Sequence, residues 1–259
     1  MSTVVTIAQQ KGGVGKTTTA RELVVLLAQR GERVLAVDVD PQFALTRQLG
    51  IKTRDLPLSI VDVLAGRADA RDAIVGDIHD VDVLPGSREL AGVELALVGQ
   101  VGRELFLRDA LGDVGGDYDW IVIDTPPNLG LLTVNALMPA TTVIAPVSAE
   151  DEGAAQGVIE LRGTLEKLKR LRSDDAELLV VLTKVSTSRL RPRITAVAIE
   201  DAITAHGFAI AARIPNRAAV HKAAIARTPL AIREPDGLVA SAYGQLAATL
   251  AGAGERRMS

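Results

Sequence analysis

Apolar residues are grouped along the chain in seven short runs that are rich in β-branched residues. Most of these runs are nearly continuous and do not alternate with polar residues, which is typical of strands covered on both faces. Segments with helical spacing of apolar residues lie between them, so strand and helix alternate along the whole chain. This order predicts an α/β fold, a doubly wound and mostly parallel sheet flanked by helices on both faces. The predicted strands cover residues 3–8, 33–39, 81–84, 120–123, 142–147, 178–182 and 209–214, and the predicted helices cover residues 17–30, 88–111, 131–138, 154–171, 194–206 and 239–250.

Length and composition favour one large domain. The chain has 259 residues, of which 47% are hydrophobic, and can bury a substantial core. We therefore expect residues 1–259 to form a single domain. Residues 49–80 carry scattered charges and show no long periodic pattern, so we expect only short helices there.

The absence of cysteine excludes several classes of protein and site. It removes disulfides, thiolate metal sites, cysteine nucleophiles and cysteine-ligated iron–sulfur clusters. The first residues carry no basic and apolar leader, and no uncharged apolar run approaches the roughly 18 to 20 residues of a membrane helix. We expect a soluble, unsecreted protein of the reducing cytoplasm that does not bind a membrane.

The charge is distributed unevenly, although the net charge is only −3 and the pI is about 5.7. Between residues 184 and 233 there are nine Lys or Arg and two acidic residues. Such a local excess can form an anion-binding face on an acidic protein. Aromatic residues make up only 2% of the chain, which disfavours binding of nucleic acid by base stacking.

A glycine-rich segment lies between the first predicted strand and the first predicted helix. In this context glycines let backbone N–H groups converge on phosphate oxygens, and the helix N-terminus adds favourable dipole charge. Lys16 is then placed to reach the β- and γ-phosphates of a nucleotide, and the Thr17 hydroxyl to bind Mg²⁺. The segment departs from the usual G-x-x-x-x-G-K-[ST] motif, because Gln10 stands at the first glycine and Lys11 adds a second lysine. The predicted nucleotide-binding residues of this loop are Lys11, Gly12, Gly13, Val14, Gly15, Lys16, Thr17 and Thr18.

The sequence K-G-G-V-G-K-T-T at residues 11–18 resembles the deviant Walker A motif of the ParA/MinD family of P-loop ATPases. The resemblance covers nearly the whole chain and is strongest in residues 3–50 and 119–148. It implies hydrolysis of ATP to ADP and phosphate, with ATP and Mg²⁺ as cofactors, in a homodimer that forms on ATP binding. In that family the first lysine reaches the partner's ATP, so the resemblance implies a catalytic role for Lys11 beside Lys16. The alternative for Lys11 is a solvated loop lysine.

Two predicted strands end in aspartates, where doubly wound sheets bind ligands. The sequence D-V-D-P-Q at residues 38–42 resembles the family's second acidic motif, which implies that Asp40 positions or activates the attacking water and belongs to the metal site. The alternative for Asp40 is capping alone, and we expect Asp38 to be structural or near Mg²⁺. Asp124 ends an apolar strand in the Walker B arrangement, so we expect it to bind Mg²⁺, usually through water. Residues 128–137 resemble the family segment that senses the γ-phosphate and contributes dimer contacts.

Within the family, the chain is most similar to ParA/Soj-type partition ATPases. The nitrogenase iron-protein branch is excluded because there is no cysteine for its cluster. A MinD-like membrane helix is disfavoured because residues 246–259 are rich in alanine, which offers little apolar area to a bilayer, and contain two glycines, which we expect to break the helix. The resemblance implies a dimer that binds DNA non-specifically and, with a ParB-like partner, segregates plasmid or chromosomal DNA on the nucleoid. The alternatives are an orphan ParA-like ATPase that positions a protein cargo and a MinD-like membrane-associated regulator.

Contacts to DNA phosphates need only clustered Lys and Arg, which the C-terminal third supplies. The alternative is a scatter of solvated charges, and one arginine of the family pattern is replaced here by Ala219. No helix-turn-helix domain precedes the phosphate loop, so we expect no sequence-specific repression by this chain alone. The candidate DNA-binding residues are Arg189, Arg191, Arg193, Arg217, Lys222 and Arg227.

A base-binding segment is also implied by the resemblance. Pro215, Asn216 and Arg217 match the family segment that borders the adenine, and Lys184 follows a predicted strand that ends at the same pocket. The three histidines, His79, His206 and His221, have no spacing that suggests a metal site or a catalytic dyad, and we expect them to be incidental.

Overall fold

A single sheet of eight strands organises the chain in the computed structural model, which describes residues 2–151, 153–172, 174–187 and 194–258. Each strand is followed by a helix or a turn that returns the chain to the same edge of the sheet, as in the predicted alternation. The strands are β1 (Thr3–Ile7), β2 (Val34–Asp38), β3 (Val75–Ile78), β4 (Val81–Leu84), β5 (Trp120–Asp124), β6 (Thr142–Ser148), β7 (Glu177–Val185) and β8 (Ala209–Pro215).

The strand order is β3-β4-β2-β5-β1-β6-β7-β8, and every neighbouring pair is parallel except β3 and β4. On the central strand β1, Thr3 pairs with Trp120 of β5 and Val5 pairs with Thr142 of β6. This topology confirms the predicted doubly wound, mostly parallel sheet. The carboxyl end of β1 lies between its two neighbours, at the crevice where such sheets bind ligands.

The edge strand β3 was not predicted from the sequence. It forms an antiparallel hairpin with β4, in which Ile78 pairs with Val81 across a two-residue turn. Both turn residues, His79 and Asp80, have positive φ angles of 56° and 62°. Such turns usually carry Asn-Gly or Asp-Gly, so His-Asp gives no hairpin signal in the sequence.

Twelve helices are seen within the described residues, twice the number predicted. The predicted helix over residues 88–111 is wrong as one element, because it divides into two helices around Gly99 and Gly102, the latter with a φ of 70°. The short helices expected in residues 49–80 are present. The prediction that two glycines break the last helix is wrong, because the helix continues through Gly252 and Gly254, each of which costs only about 1 kcal/mol inside a helix. The helices are α1 (Lys16–Ala28), α2 (Ala44–Gln48), α3 (Ile60–Leu64), α4 (Ala70–Ala73), α5 (Leu90–Leu97), α6 (Phe106–Gly112), α7 (Leu131–Leu137), α8 (Ala154–Leu168), α9 (Ile194–Ala205), α10 (Ala218–Ala226), α11 (Leu230–Arg233) and α12 (Leu238–Met258), with 3₁₀ turns at Thr53–Asp55, Gly115–Asp117 and Lys169–Leu171.

The hydrophobic core has a layer on each face of the sheet. On one face, alternate strand residues such as Val5 and Val122 pack against α1, α11 and α12. On the opposite face, Ile121 and its neighbours pack against α3 to α7, and Val180 and its neighbours pack against α8 and α9. The sheet is therefore covered on both sides, which explains its nearly continuous apolar strands. Among the described residues, no helix combines the length and the hydropathy needed to cross a bilayer.

Candidate nucleotide site

The phosphate loop connects β1 to α1 and presents its backbone N–H groups to the crevice. Gly13 and Gly15 have φ angles of 71° and 97°, in the left-handed region that favours glycine. Gly15 precedes α1 as the N-cap residue, and neither a capping side chain nor an acidic residue occupies the first turn. The exposed N–H groups and the positive end of the helix dipole are therefore left for an anion such as a phosphate.

Thr183, at the carboxyl end of β7, holds the loop from the side. Its hydroxyl donates to the carbonyl of Val14 at 2.8 Å and lies 3.2 Å from the carbonyl of Val147. A Cβ atom at Gly15 would stand 3.4 Å from the Thr183 Cγ2 atom, so the loop packs closely against this residue. Sequence reasoning missed this role because Thr183 is 169 positions away from Val14.

Lys16 projects from the start of α1 and is only 7% exposed. Its Nζ atom donates to the backbone carbonyl of Lys11 at 3.3 Å. Burial lowers the pKa of Lys16, and the carboxylates of Asp124 and Asp40 act in the opposite direction by stabilising the ammonium. The sequence-predicted lysine and two of the predicted acidic residues therefore meet at one place.

Asp124, at the end of β5, is a buried carboxylate whose two oxygens have no hydrogen-bond partner among the described residues. Burial, and next the charge of Asp38, raise the pKa of Asp124 well above its usual range. Thr17 lies close enough to lower that pKa, although its hydroxyl does not reach hydrogen-bond geometry. Leaving such a group unpartnered is costly unless a cation compensates it.

These residues fit Mg²⁺, which takes oxygen ligands and keeps several waters. The unpartnered carboxylate of Asp124 and the hydroxyl of Thr17 lie beside the loop that receives phosphate. No group of three or more His, Cys, Asp or Glu that could hold a metal occurs in the described part of the chain. Phosphate oxygens and water would therefore complete the shell, as they usually do for this ion.

The two aspartates after β2 differ in what they contact. Asp38 accepts hydrogen bonds from the backbone N–H and hydroxyl of Thr46, at 2.8 and 2.7 Å, and from the N–H of Asp40 at 3.2 Å. Asp38 therefore has a structural role, because these hydrogen bonds connect β2 to α2. Burial raises the pKa of Asp38 to about 6. Asp40 accepts one hydrogen bond from the N–H of Gln42 at 2.9 Å through a single carboxylate oxygen.

Lys11 points outward from the loop. Its side chain is 60% exposed, and its Nζ atom lies 2.5 Å from Asp151, in the segment after β6. Because this contact lies within the same chain, Lys11 does not reach the phosphate site of that chain in this arrangement.

A cleft of about 320 Å³ opens between the phosphate loop, the ends of β7 and β8, and α10. This volume lies within the range of small-ligand sites. His221 of α10, which was expected to be incidental, lines this cleft. Tyr243 of α12 lines it as well, and its hydroxyl is hydrogen-bonded to that of Thr19. All four residues predicted to border the base line the cleft, namely Lys184, Pro215, Asn216 and Arg217.

Three of the six candidate DNA-binding residues lie on or next to α10. Arg217 and Arg227 flank the helix, Lys222 is within it, and all three are exposed. Arg213 contributed to the local charge excess but is paired with Glu200 at 2.5 Å, which reduces the free charge. The other three candidates, Arg189, Arg191 and Arg193, lie outside the described residues.

The sheet topology, the loop geometry and the buried acidic residues together define a P-loop nucleotide-binding protein. A family model described as "AAA domain" matches residues 2–178. The sporulation initiation inhibitor protein Soj of Bacillus subtilis (strain 168) is 40% identical over 190 residues, which are 73% of this chain and 75% of Soj. The chain therefore belongs to the ParA/Soj-type family of ATPases, as its motifs predicted.

Solved structures agree with this assignment. A structure titled cobyrinic acid a,c-diamide synthase from Mycobacterium smegmatis, with a bound ATP analogue and magnesium, is 32% identical with a TM-score of 0.82 and covers 96% of this chain and 94% of that one. The septum site-determining protein MinD from Pyrococcus horikoshii OT3, complexed with Mg-ADP, is 27% identical with a TM-score of 0.79 and covers 98% and 99% of the two chains. The protein is an ATPase, and its cofactors are ATP and Mg²⁺.

Proposed function

We propose that ATP closes two copies of this chain into a dimer that binds DNA non-specifically and, with a ParB-like partner, segregates plasmid or chromosomal DNA. The observation that carries the proposal is the outward position of Lys11, which is exposed while Lys16 occupies the phosphate site. The 40% identity with Soj supports the same role. The protein would then work in the cytoplasm, on the nucleoid.

Catalysis would depend mainly on positioning and charge neutralisation. Lys16 and the N–H groups of the loop would hold the phosphates, and Thr17 and Asp124 would hold the metal, with Asp40 beside them. Mg²⁺, when bound, neutralises charge on the β- and γ-phosphates. One oxygen of Asp40 is fixed by Gln42, which leaves the other to orient the attacking water.

The raised pKa of Asp40 also suits a role as acceptor of a proton from that water. Burial raises its pKa, and the nearby Lys16 lowers it less than burial raises it. A carboxyl group with a raised pKa accepts a proton more readily at neutral pH. Asp40 would therefore orient the water through a hydrogen bond and take its proton as the water oxygen bonds to the γ-phosphorus and the bond from that phosphorus to ADP breaks.

Dimer formation would require Lys11 to leave Asp151. Ion pairs of this exposure contribute only about 0–1 kcal/mol, so the contact is easily broken. A partner's triphosphate carries more negative charge than one carboxylate and would attract the ammonium more strongly. Dimer formation would therefore exchange the Lys11–Asp151 pair for a contact between Lys11 and the ATP of the second copy.

DNA binding would use the exposed cations of α10. Arg217, Lys222 and Arg227 give three per protomer, so a dimer presents them twice. Each phosphate contact lowers the slope of log affinity against log salt by roughly 0.9. Binding should therefore weaken steeply as salt rises and should depend little on DNA sequence.

The test is binding to a non-specific duplex with ATP, with ADP and without nucleotide, across a salt series. Asp40→Ala holds the ATP state. A Lys222→Ala/Arg227→Ala variant should weaken binding and reduce the salt slope by roughly one per lost contact. The matched control, Lys167→Ala/Arg170→Ala, removes two exposed cations at the end of α8 and should bind as wild type.

Two results would contradict this function. One is no DNA binding in any nucleotide state while the dimer still forms. The other is equal weakening by the α10 variant and by its control. Sedimentation with liposomes would then test the membrane-associated alternative, and a protein cargo would remain as the other.

A further inference from the structure

A groove of about 1100 Å³ lies between α3, α4, α5 and α6. It is on the face of the sheet opposite to α1 and α12, and its lining includes neither the phosphate loop nor the aspartates at 38, 40 and 124. It is more than three times as large as the cleft beside the phosphate loop. The groove therefore has no part in holding the nucleotide.

The floor of the groove is apolar. Val61, Leu64, Val93 and Leu97 line it and are at the same time buried members of the core beneath it. Phe106 adds a partly buried ring from α6. A ligand with apolar side chains would therefore extend this core and be stabilised by the burial of its apolar surface.

The rim of the groove is acidic. Arg67 is the one cation among the lining residues, and it is already bound to Asp62 at 2.8 Å. Asp109 is paired with Arg108. Asp69, Asp72 and Asp113 are exposed, and their carboxylates make no hydrogen bond or ion pair within the described residues. The lining carboxylates are Asp69, Asp72, Glu89, Asp109 and Asp113.

We propose that this groove docks a segment of a partner protein whose apolar side chains lie on the floor and whose Lys or Arg side chains pair with the partner-free carboxylates of the rim. The charge of the rim is the argument for a basic occupant, since opposite potentials favour association. The same charge repels nucleic acid and anionic lipid. The size exceeds the usual 300–1,000 Å³ of small-molecule sites, which favours a peptide.

Gly92 on α5 keeps the groove open. A Cβ atom at this position would have no atom within 4 Å, so the backbone there leaves room for a side chain. Such a side chain would project into the space that the partner segment occupies. Gly163 on α8 is an exposed helical glycine with equally open surroundings, and it does not line the groove.

The experiment measures binding of a short fluorescein-labelled peptide by anisotropy with the full-length protein. The peptide carries arginines and leucines on opposite sides, and a counterpart carries glutamate for arginine. Wild type should bind only the basic peptide, more weakly as salt rises. The Asp69→Lys/Asp72→Lys/Asp113→Lys variant should bind roughly tenfold more weakly or not at all. Gly92→Phe should also block binding.

Matched controls separate the groove from general charge. Asp55→Lys/Asp201→Lys/Asp236→Lys makes the same change in net charge outside the groove, and Gly163→Phe adds the same ring elsewhere. Both should bind the peptide with at least about half the affinity of wild type. ATP hydrolysis by every variant checks that the fold is intact and is expected to be unchanged.

The proposal is overturned if wild type does not bind the basic peptide. It is also overturned if the groove variants and their controls lose affinity equally, because the binding would then reflect net charge alone. These outcomes do not depend on DNA binding or dimer formation. The docking proposal can therefore be refuted without contradicting the proposed function.

Discussion

Glu22 on α1 should be among the residues whose loss destabilises the protein most. Arg21 and Glu22 are both completely buried, and the guanidinium donates to Glu22 Oε1 from Nε at 2.9 Å and from Nη2 at 2.6 Å. The Glu22 carboxylate also accepts the N–H groups of Leu230 and Ala231, at 3.1 and 3.0 Å, at the start of α11. One carboxylate therefore neutralises a buried charge and joins α1 to α11.

Glu22→Ala leaves the Arg21 charge buried, with the Gln48 side chain at 2.8 Å as its remaining contact. Removing one partner of a buried pair costs about 3–5 kcal/mol. Each orphaned N–H group costs about 1–3 kcal/mol, although the terms are not additive. We expect a loss on the order of 5 kcal/mol, a large part of the usual stability of about 5–15 kcal/mol.

The assay is urea unfolding followed by fluorescence of Trp120, the single tryptophan, which is buried in β5. A double-mutant cycle separates the pair from other effects of each substitution. Arg21→Met/Glu22→Leu should lose less stability than the sum of the two single variants, because no buried charge then remains unpaired. A loss below about 1 kcal/mol for Glu22→Ala, or strict additivity in the cycle, would show that this network does not stabilise the fold.

The other predictions concern the nucleotide site. Lys16→Ala should abolish ATP binding in calorimetry, whereas Asp40→Ala should bind ATP and fail to hydrolyse it, as a phosphate-release assay would show. Asp124→Asn should lose Mg²⁺-dependent hydrolysis in the same assay, because the amide lacks the charged oxygen that would bind the metal, and should still unfold cooperatively in urea. Thr183→Val should weaken ATP binding roughly fivefold, since the Val14 carbonyl loses its donor, and Thr183→Ser should restore it. ATP affinity near wild type for Lys16→Ala or Thr183→Val, or normal turnover by Asp40→Ala or Asp124→Asn, would contradict the corresponding assignment.

The phosphate loop was predictable because its chemistry is local. Residues 11–18 contain the glycines, lysines and threonines in sequence, and the structure adds only the φ angles at Gly13 and Gly15. The strand ends at Asp38 and Asp124 were predictable for a similar reason, since an apolar run that stops at an acidic residue is visible in the sequence. The edge hairpin of β3 was not, because its turn uses His79 and Asp80 and not the residues that usually mark such turns.

What the sequence could not show is which distant residues support the local motif. Thr183 contacts the loop only because β7 runs parallel to β6, two strands from β1. Glu22 looks like one more charge on an amphipathic helix, yet it is buried because α11 packs its N-terminus against α1. Packing between elements therefore decides that the charge of Glu22 is buried and that Thr183 supports the phosphate loop. Thr183 and Glu22 therefore each join residues that are far apart in the sequence, the former β7 to the phosphate loop and the latter α1 to α11.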